Sequence, residues 1–194
     1  MPPPEYKENP SSNPIALITQ HTTFLSDLPV GEFLSAHARI RSQSDAQTES
    51  LIDETLSFAN QLTGEPIALG SRMTELSGGQ TRALLIADAT VVCNTPIVLL
   101  DEVENAGIHR TRALELLRRR RKIFIFVTHD PRIALLSDFR VVMKGGSMVR
   151  LLQTDEAERS FSTKVSRLDD ALSKMRDRIR MGDRLTGAEW EGML

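Results

Sequence analysis

Three short apolar runs alternate along the chain with stretches of helical periodicity, and this alternation restricts the possible folds more than any other feature. The runs lie at residues 15–19, 97–100 and 123–127. Each run is nearly continuous, which is typical of strands that are buried on both faces of a parallel sheet. Strands that alternate with helices predict an α/β fold. Such folds place their chemistry at the C-terminal ends of the strands, so the polar residues that follow these runs are the first candidates for a functional site.

The segment between the first two runs has helical periodicity. Apolar residues recur at helix spacing from residue 28 to residue 62, with a polar break at residues 41–44, which predicts two helices. A Gly-Glu-Pro sequence then ends the second helix. We expect a helical subdomain over about residues 28–75, inside a domain that covers residues 15–152.

The two ends of the chain differ from this domain in composition. Residues 1–14 are rich in proline and polar residues, which predicts a disordered lead-in. Residues 139–143 and 148–152, on either side of a Gly-Gly turn, predict a hairpin. Residues 153–194 predict a helical tail whose apolar stripe packs within the chain or against a partner, whereas a coiled-coil seam would need more heptads than this tail contains. The stripe comprises Val165, Leu168, Leu172, Met175 and Ile179.

Charge and composition argue against several classes of function. The chain has 24 Lys and Arg residues against 26 Asp and Glu residues, so it lacks the basic excess that nucleic acids and anionic membrane surfaces require. We expect the basic run at residues 118–122 to end a helix rather than to bind nucleic acid. The single cysteine, Cys93, excludes an internal disulfide and suits a reducing cytoplasm. No apolar run approaches the roughly 18 residues that predict a membrane-spanning helix.

The most specific sequence in the chain is the pentapeptide Leu-Ser-Gly-Gly-Gln at residues 76–80, which precedes a helical pattern at residues 81–92. A polar residue and two glycines ahead of a helix can bind an anion, because backbone N–H groups come close to it and the helix N-terminus carries a partial positive charge. An ordinary glycine-rich helix start has the same pattern. The pentapeptide therefore predicts a phosphate contact only together with its surroundings.

The pentapeptide is identical to the signature of the ATP-binding cassette (ABC) ATPases, and the next strand also resembles that family. The run at residues 97–100, followed by Asp101 and Glu102, is similar to the Walker B strand. The resemblance implies that Asp101 holds the water shell of Mg²⁺ and that Glu102 activates the attacking water. It also implies that the nucleotide is contacted by Ser77, Gly78, Gly79 and Gln80.

Three further positions match motifs of the ABC family. His129 follows the run at residues 123–127 and stands where the switch histidine of the family contacts the γ-phosphate. Gln20 resembles the Q-loop glutamine, which contacts Mg²⁺ and the water. Asn105 lies in the region of the D-loop and is expected to hydrogen-bond the nucleotide, although Ile108 replaces the aspartate of the family. The implied catalytic residues are Glu102, His129 and Gln20, with ATP and Mg²⁺ as cofactors.

One motif of the family is absent from these 194 residues. They contain no Gly-x-x-x-x-Gly-Lys-Ser/Thr sequence, which is the Walker A loop that cradles the phosphates. The resemblance therefore implies an incomplete P-loop NTPase-like parallel sheet, lacking the Walker A strand and helix, with an ABC-type helical subdomain and a C-terminal helix. Such a sheet exposes apolar surface and backbone hydrogen-bonding groups, and the chain alone should bind ATP poorly.

The leading hypothesis is a split ABC ATPase. A separate protein would supply the Walker A lobe, and two completed cassettes would form a dimer. This dimer would work in the cytoplasm and would associate with a membrane only through a partner protein. Two alternatives remain open at this point. In the first alternative, the chain is a noncatalytic module that caps ATP on a complete partner cassette through its signature. In the second, it is a truncated product without function.

Overall fold

The structure is a computed structural model that describes residues 14–19, 26–42, 44–101 and 115–184. The chain divides into two compact units, residues Met1–Thr128 and His129–Leu194. The first unit contains the strands β1 (Ile15–Ile18), β2 (Ile97–Asp101) and β3 (Ile123–Val127) together with the helices α1 (Val30–Arg41), α2 (Asp45–Leu62) and α3 (Gly78–Thr90). The second unit contains helix α4 (Pro131–Leu136), strands β4 (Phe139–Lys144) and β5 (Ser147–Gln153), and helix α5 (Glu156–Arg180).

The three strands of the first unit form a parallel sheet in the order β1-β2-β3. Ile15, Ile97 and Ile123 are in register across it. The predicted strands and their parallel pairing are thus confirmed. None of the three runs has polar residues at alternate positions. This pattern argues against an antiparallel sheet with one face in solvent.

The two faces of this sheet are buried to different extents. Ile18, Val98 and Leu100 point to one face and are 4%, 0% and 0% exposed. The opposite face carries large apolar side chains that remain in solvent, so the expectation of burial on both faces is wrong for the described residues. The exposed residues are Ile15 (44%), Leu17 (64%), Ile123 (59%), Ile125 (44%) and Val127 (58%).

Helices α1, α2 and α3 pack against one another, and α3 also contacts β1. Helix α1 buries Val30, Leu34 and Ala38, which lie one helical turn apart on one face. Helix α2 begins where Ser44 accepts a hydrogen bond from the backbone N–H of Gln47 at 3.2 Å, an N-cap that satisfies a first-turn donor. The polar break at residues 41–44 therefore separates two helices, as the periodicity predicted.

Two residues of the basic run contact other parts of the first unit, whereas Arg118, Arg119 and Arg121 are exposed. Residues 115–118 are helical, so the run begins at a helix end. Arg120 forms an ion pair with Glu54 at 2.9 Å and lies 4.7 Å from the ring centre of Phe58. Lys122 donates to the side chain of Asn94 at 2.7 Å. These contacts give the run a packing role within the first unit.

In the second unit, β4 and β5 form the predicted antiparallel hairpin. Its turn uses Gly145 and Gly146, both at positive φ (58° and 78°), which glycine adopts without strain. Helix α5 packs on the short helix α4. Asp155 caps α5 by accepting from the backbone N–H of Glu158 at 2.8 Å.

Candidate functional site

The signature residues lie together in the first turn of α3. The hydroxyl of Ser77 accepts a hydrogen bond from the backbone N–H of Gln80 at 3.3 Å, and the side-chain oxygen of Gln80 accepts from the backbone N–H of Ser77 at 3.0 Å. This reciprocal pair is a capping box, which starts a helix by satisfying two backbone donors. The helix therefore begins at Gly78, three residues earlier than the apolar pattern at residues 81–92 indicated.

The same turn leaves backbone open to solvent. No atom lies within 4 Å of the position that a Cβ on Gly78 would occupy, and both Ser77 and Gly78 are exposed. The first N–H groups of a helix point outward along its axis and carry the positive end of the helix dipole. An anionic oxygen can thus approach the backbone at Gly78 without meeting a side chain.

The amide of Gln80 connects this turn to the preceding loop. Its nitrogen donates to the backbone carbonyl of Pro66 at 3.3 Å. Because its oxygen is already bonded to Ser77, both ends of the amide are engaged. Gln80 therefore positions the glycines, rather than standing free to bind a ligand through its side chain.

Helix α3 is anchored by a buried carboxylate that belongs to none of the predicted motifs. Asp88 is 6% exposed, and its Oδ2 lies 3.0 Å from Nδ1 of His37 on α1. Hydrogen bonding to Asp88 raises the pKa of His37 although partial burial opposes the shift. The sulfur of Cys93 lies 3.7 Å from the same carboxylate oxygen. Burial, with Asp88 adding to it, raises the pKa of the Cys93 thiol to about 11, so this thiol is protonated at neutral pH.

The strand ends hold the remaining predicted residues, only some of which the structure describes. Asp101 is the last residue of β2, is partly exposed, and pairs in register with Val127 of β3. Glu102, Gln20 and Asn105 lie outside the described residues. Their assignment as catalytic, metal-binding or nucleotide-binding residues stays a prediction.

His129 begins the second unit, two residues beyond the end of β3. Its side chain is exposed. The next residue, Asp130, caps α4 by accepting from the backbone N–H of Arg132 at 2.9 Å, and its carboxylate also forms a buried ion pair with the Arg132 guanidinium at 2.5 Å. This pair fixes the backbone immediately after His129.

Comparison with known proteins identifies the family. Residues 3–105 match the family described as ABC transporter. The chain is also 44% identical, over 96% of its length, to 70% of the uncharacterized ABC transporter ATP-binding protein MJ0121 of Methanocaldococcus jannaschii. The chain belongs to the ABC transporter family. The predicted membership of the ABC family is thereby confirmed, and that family consists of ATP-binding ATPases. The assignment of residues 76–80 as nucleotide contacts stays a prediction.

Other ABC proteins match over a smaller share of their own length. The chain is 29% identical to the spermidine/putrescine import ATP-binding protein PotA of Borreliella afzelii over 81% of the chain, which is 46% of PotA. The chain thus spans less than half of that protein.

Solved structures show the same fold. The dimeric post-hydrolysis state of the ATP-binding cassette MJ0796 bound to ADP and Pi matches with a TM-score of 0.60 and 22% identity, over 77% of this chain and 67% of that one. The protein cbiO1 from Clostridium perfringens, part of the ABC transporter complex cbiONQ, matches with a TM-score of 0.60 and 21% identity, over 91% of this chain and 70% of that one. Among the residues that the structure describes, no helix is long and apolar enough to cross a membrane.

Proposed function

We propose that this chain is one subunit of a split ABC ATPase, in which another polypeptide supplies the Walker A loop and the two together hydrolyse ATP. The chain supplies the signature, the Walker B carboxylates and the switch histidine. Family membership supports the ATPase part of the proposal. The phosphate-cradling loop has no counterpart in these 194 residues, so it must come from polypeptide outside them.

The observation that carries the proposal is the open apolar face of the sheet. Leu17 on β1 and Ile125 on β3 are in register with Leu99 between them, and they are 64% and 44% exposed. Contiguous exposed apolar patches of this kind mark protein interfaces. A helix laid across β1, β2 and β3 would bury them, as helices cover both faces of parallel sheets elsewhere.

The edge of the sheet offers a second contact to the same partner. Among the described strands, β3 pairs only with β2, so β3 is an edge strand. Edge strands present backbone N–H and C=O groups that pair readily with an incoming strand. A partner that contributes one strand beside β3 and one helix on the open face would satisfy both surfaces, and a Walker A lobe consists of such a strand and helix.

Each predicted site residue has a defined task in this proposal. The backbone around Ser77, Gly78 and Gly79 caps the phosphates of ATP that is held by the other cassette of a dimer. Glu102 accepts a proton from the attacking water, Gln20 and His129 orient that water and the γ-phosphate, and Asn105 hydrogen-bonds the nucleotide. Pre-positioned N–H donors stabilise negative charge that grows in the transition state.

The described residues are compatible with Mg²⁺ bound alongside ATP. Asp101 offers a partly exposed carboxylate at the C-terminal end of β2, while no group of three or more acidic, His or Cys side chains in the described part of the chain could hold a metal alone. Mg²⁺ at nucleotide sites keeps several waters and takes one or two protein ligands together with phosphate oxygens. Asp101, with Gln20, would hold the ion in that manner, and the bound ion would neutralise phosphate charge.

We further propose that the complex works in the cytoplasm and reaches a membrane only through other subunits.

The test is affinity purification of the tagged chain from its native cells, with the recovered proteins identified by mass spectrometry. A protein with a Walker A sequence should be recovered in a one-to-one ratio. Leu17→Glu together with Ile125→Glu should reduce its recovery at least tenfold, because both charges fall on the open face. Ile40→Glu, at a 68% exposed site on α1, is the control and should leave recovery unchanged. Recovery of only complete cassettes, unaffected by the sheet variants, would instead favour a noncatalytic capping module.

A further inference from the structure

Arg132 holds two carboxylates that come from different parts of the second unit. Its Nε lies 3.0 Å from Oδ1 of Asp130, and its Nη2 lies 2.5 Å from Oδ2 of the same carboxylate. The remaining nitrogen, Nη1, pairs with the carboxylate of Asp169 on α5. Two parallel hydrogen bonds to one carboxylate fix the plane of a guanidinium. The third nitrogen of Arg132 is therefore fixed in its direction as well, toward α5.

Asp130 carries this contact to the residue before it, His129. The carboxylate of Asp130 accepts from the backbone N–H of Arg132 at 2.9 Å, and its carbonyl accepts from the backbone N–H of Ala134 at 3.1 Å. Both the side chain and the backbone of Asp130 are thus bound at the start of α4. One planar peptide joins Asp130 to the exposed residue His129. A shift of Asp130 therefore moves His129 with it.

Helix α5 in turn determines where α4 lies. Helix α4 has only six residues, and a helix of that length is not stable in isolation. It packs on α5, and Ile133 of α4 and Ala171 of α5 are each 2% exposed. The end of α4 is held by Thr154, which precedes α5 and donates its hydroxyl to the carbonyl of Ser137 at 2.6 Å. The orientation of α4 is therefore taken from α5.

The charge of Asp169 matters because Arg132 is a buried cation. Burial lowers the pKa of Arg132, but the hydrogen bond to Asp130 and the charges of Asp130, Asp169 and Asp170 raise it overall. A buried ion is stable only beside its counter-charges. Neutralising Asp169 would therefore let the guanidinium turn toward water, and the Asp130 carboxylate bound to it would turn as well.

We propose that Asp169 is a positioning residue for the switch histidine and acts on His129 through Arg132 and Asp130. The proposal rests on the split ATPase function, in which His129 contacts the γ-phosphate. All four residues lie in the second unit, so the path of contacts stays inside one compact body. Helix α5 thereby takes part in ATP hydrolysis through its hold on α4, although Asp169 itself does not touch the nucleotide.

The NMR resonance of the His129 imidazole in the chain alone tests this path without any need for ATPase activity. Asp169→Asn keeps the size of the side chain and removes its charge, and it should shift this resonance, which His129→Gln assigns. Asp177→Asn, at an exposed site on the same helix, is the matched control and should leave the resonance unchanged. The resonance of His37, in the first unit, should stay in place in both variants. A His129 resonance that Asp169→Asn does not move overturns the proposal.

A second variant separates the path of contacts from a direct effect of charge. Arg132→Lys keeps the positive charge but lacks the planar fork that holds two carboxylates. It should therefore shift the His129 resonance as well, and it provides the test if Asp169→Asn proves too unstable to fold. An unchanged His129 resonance in Arg132→Lys would contradict the proposal.

Kinetics of the reconstituted ATPase complex test the consequence for the reaction. Asp169→Asn should lower kcat about tenfold and leave the KM for ATP unchanged, because a misplaced group at the transition state slows the chemical step. In a His129→Ala background, the same change should have no further effect, since residues that act through one another are not additive. Equal losses of kcat in both backgrounds would show a merely structural role and overturn the proposal.

Failure of the split ATPase would be seen separately. A wild-type complex that hydrolyses no ATP would refute that function, whereas the histidine resonances of the chain alone would still decide whether Asp169 positions His129.

Discussion

Nδ1 of His37 lies 3.0 Å and 3.2 Å from the two carboxylate oxygens of Asp88. His37 is on α1, and Asp88 is on α3, the helix that begins at the signature. The carboxylate is nearly buried, whereas the histidine side chain is 39% exposed. The pair therefore fixes the orientation of the signature helix relative to α1. The strength of this contact depends on the charge of His37.

His37→Gln should reduce stability in a pH-dependent way. The pKa of His37 is raised above its ordinary value near 6.5 by Asp88, so the stabilising contribution is complete below about pH 6.5 and is lost as the pH rises through the raised pKa. Because the side chain is more than one third exposed, we expect a loss of about 1 kcal/mol or less. Urea unfolding at pH 6 and pH 9 measures the difference. Arg39→Gln, on the same helix, is the control, and an equal loss from His37→Gln at both pH values would contradict the pairing.

Cys93 should be unreactive at neutral pH. Burial and the nearby Asp88 carboxylate raise its pKa to about 11, and only the thiolate is an effective nucleophile. The rate of alkylation by iodoacetamide should keep rising with pH up to about 11 in the folded chain, and urea should restore ordinary thiol behaviour. A rate that levels off below pH 9 in the folded chain would show that the thiol does not face Asp88.

Ser77→Ala separates the capping role of the signature serine from its proposed contact with nucleotide. Loss of the N-cap should lower the free energy of unfolding by about 1 kcal/mol. Ser44→Ala removes the N-cap of α2, whose hydroxyl accepts a hydrogen bond of similar length, 3.2 Å against 3.3 Å, and should cost about the same. In the ATPase complex, only Ser77→Ala should also weaken the ATP-dependent association of cassettes. Equal effects of both variants on that association would show that Ser77 acts only as a helix cap.

Arg132→Met should strongly destabilise the second unit. Its guanidinium is 10% exposed and joins Asp130 to Asp169. Its removal leaves the buried carboxylate of Asp130 and the partly exposed carboxylate of Asp169 without their counter-charge, at a cost of about 3 kcal/mol. Arg159→Met is the control, because Arg159 and its partner Asp138 are 61% and 68% exposed and such pairs contribute about 0–1 kcal/mol. Thermal unfolding, together with hydrogen exchange of α5, distinguishes the two. Similar small losses for both would mean that the buried network is not formed.

The strands and the start of α3 were predictable because their signals are local. Continuous apolar runs located β1, β2 and β3, and the serine with two glycines marked the region where α3 begins. The apolar pattern placed the start of α3 three residues too late, because Gly78, Gly79 and Gln80 carry no apolar signal. The exposure of Leu17 and Ile125 was not predictable from the runs themselves, because an apolar strand has the same sequence whether or not a partner covers it. Only the absence of a Walker A sequence indicated it.

The contacts of the signature helix were beyond sequence reasoning. Asp88 interrupts an otherwise apolar stretch, which indicates a buried polar group in need of a partner. That partner, His37, is 51 residues away, and no local pattern connects the two. The apolar stripe of α5 was visible in the sequence, but the contacts that hold the helix in place, such as the pair between Arg132 and Asp169, required the structure.

The most direct test of the split ATPase is Mg-ATP hydrolysis by the chain reconstituted with its Walker A partner. We expect activity in the complex, little in either protein alone, and a loss on the order of 100-fold or more for Glu102→Gln, because the general base would be gone. Glu104→Gln, two residues further on, is the matched control and should retain activity. Hydrolysis that survives Glu102→Gln would place the catalytic glutamate in another chain and contradict the proposal.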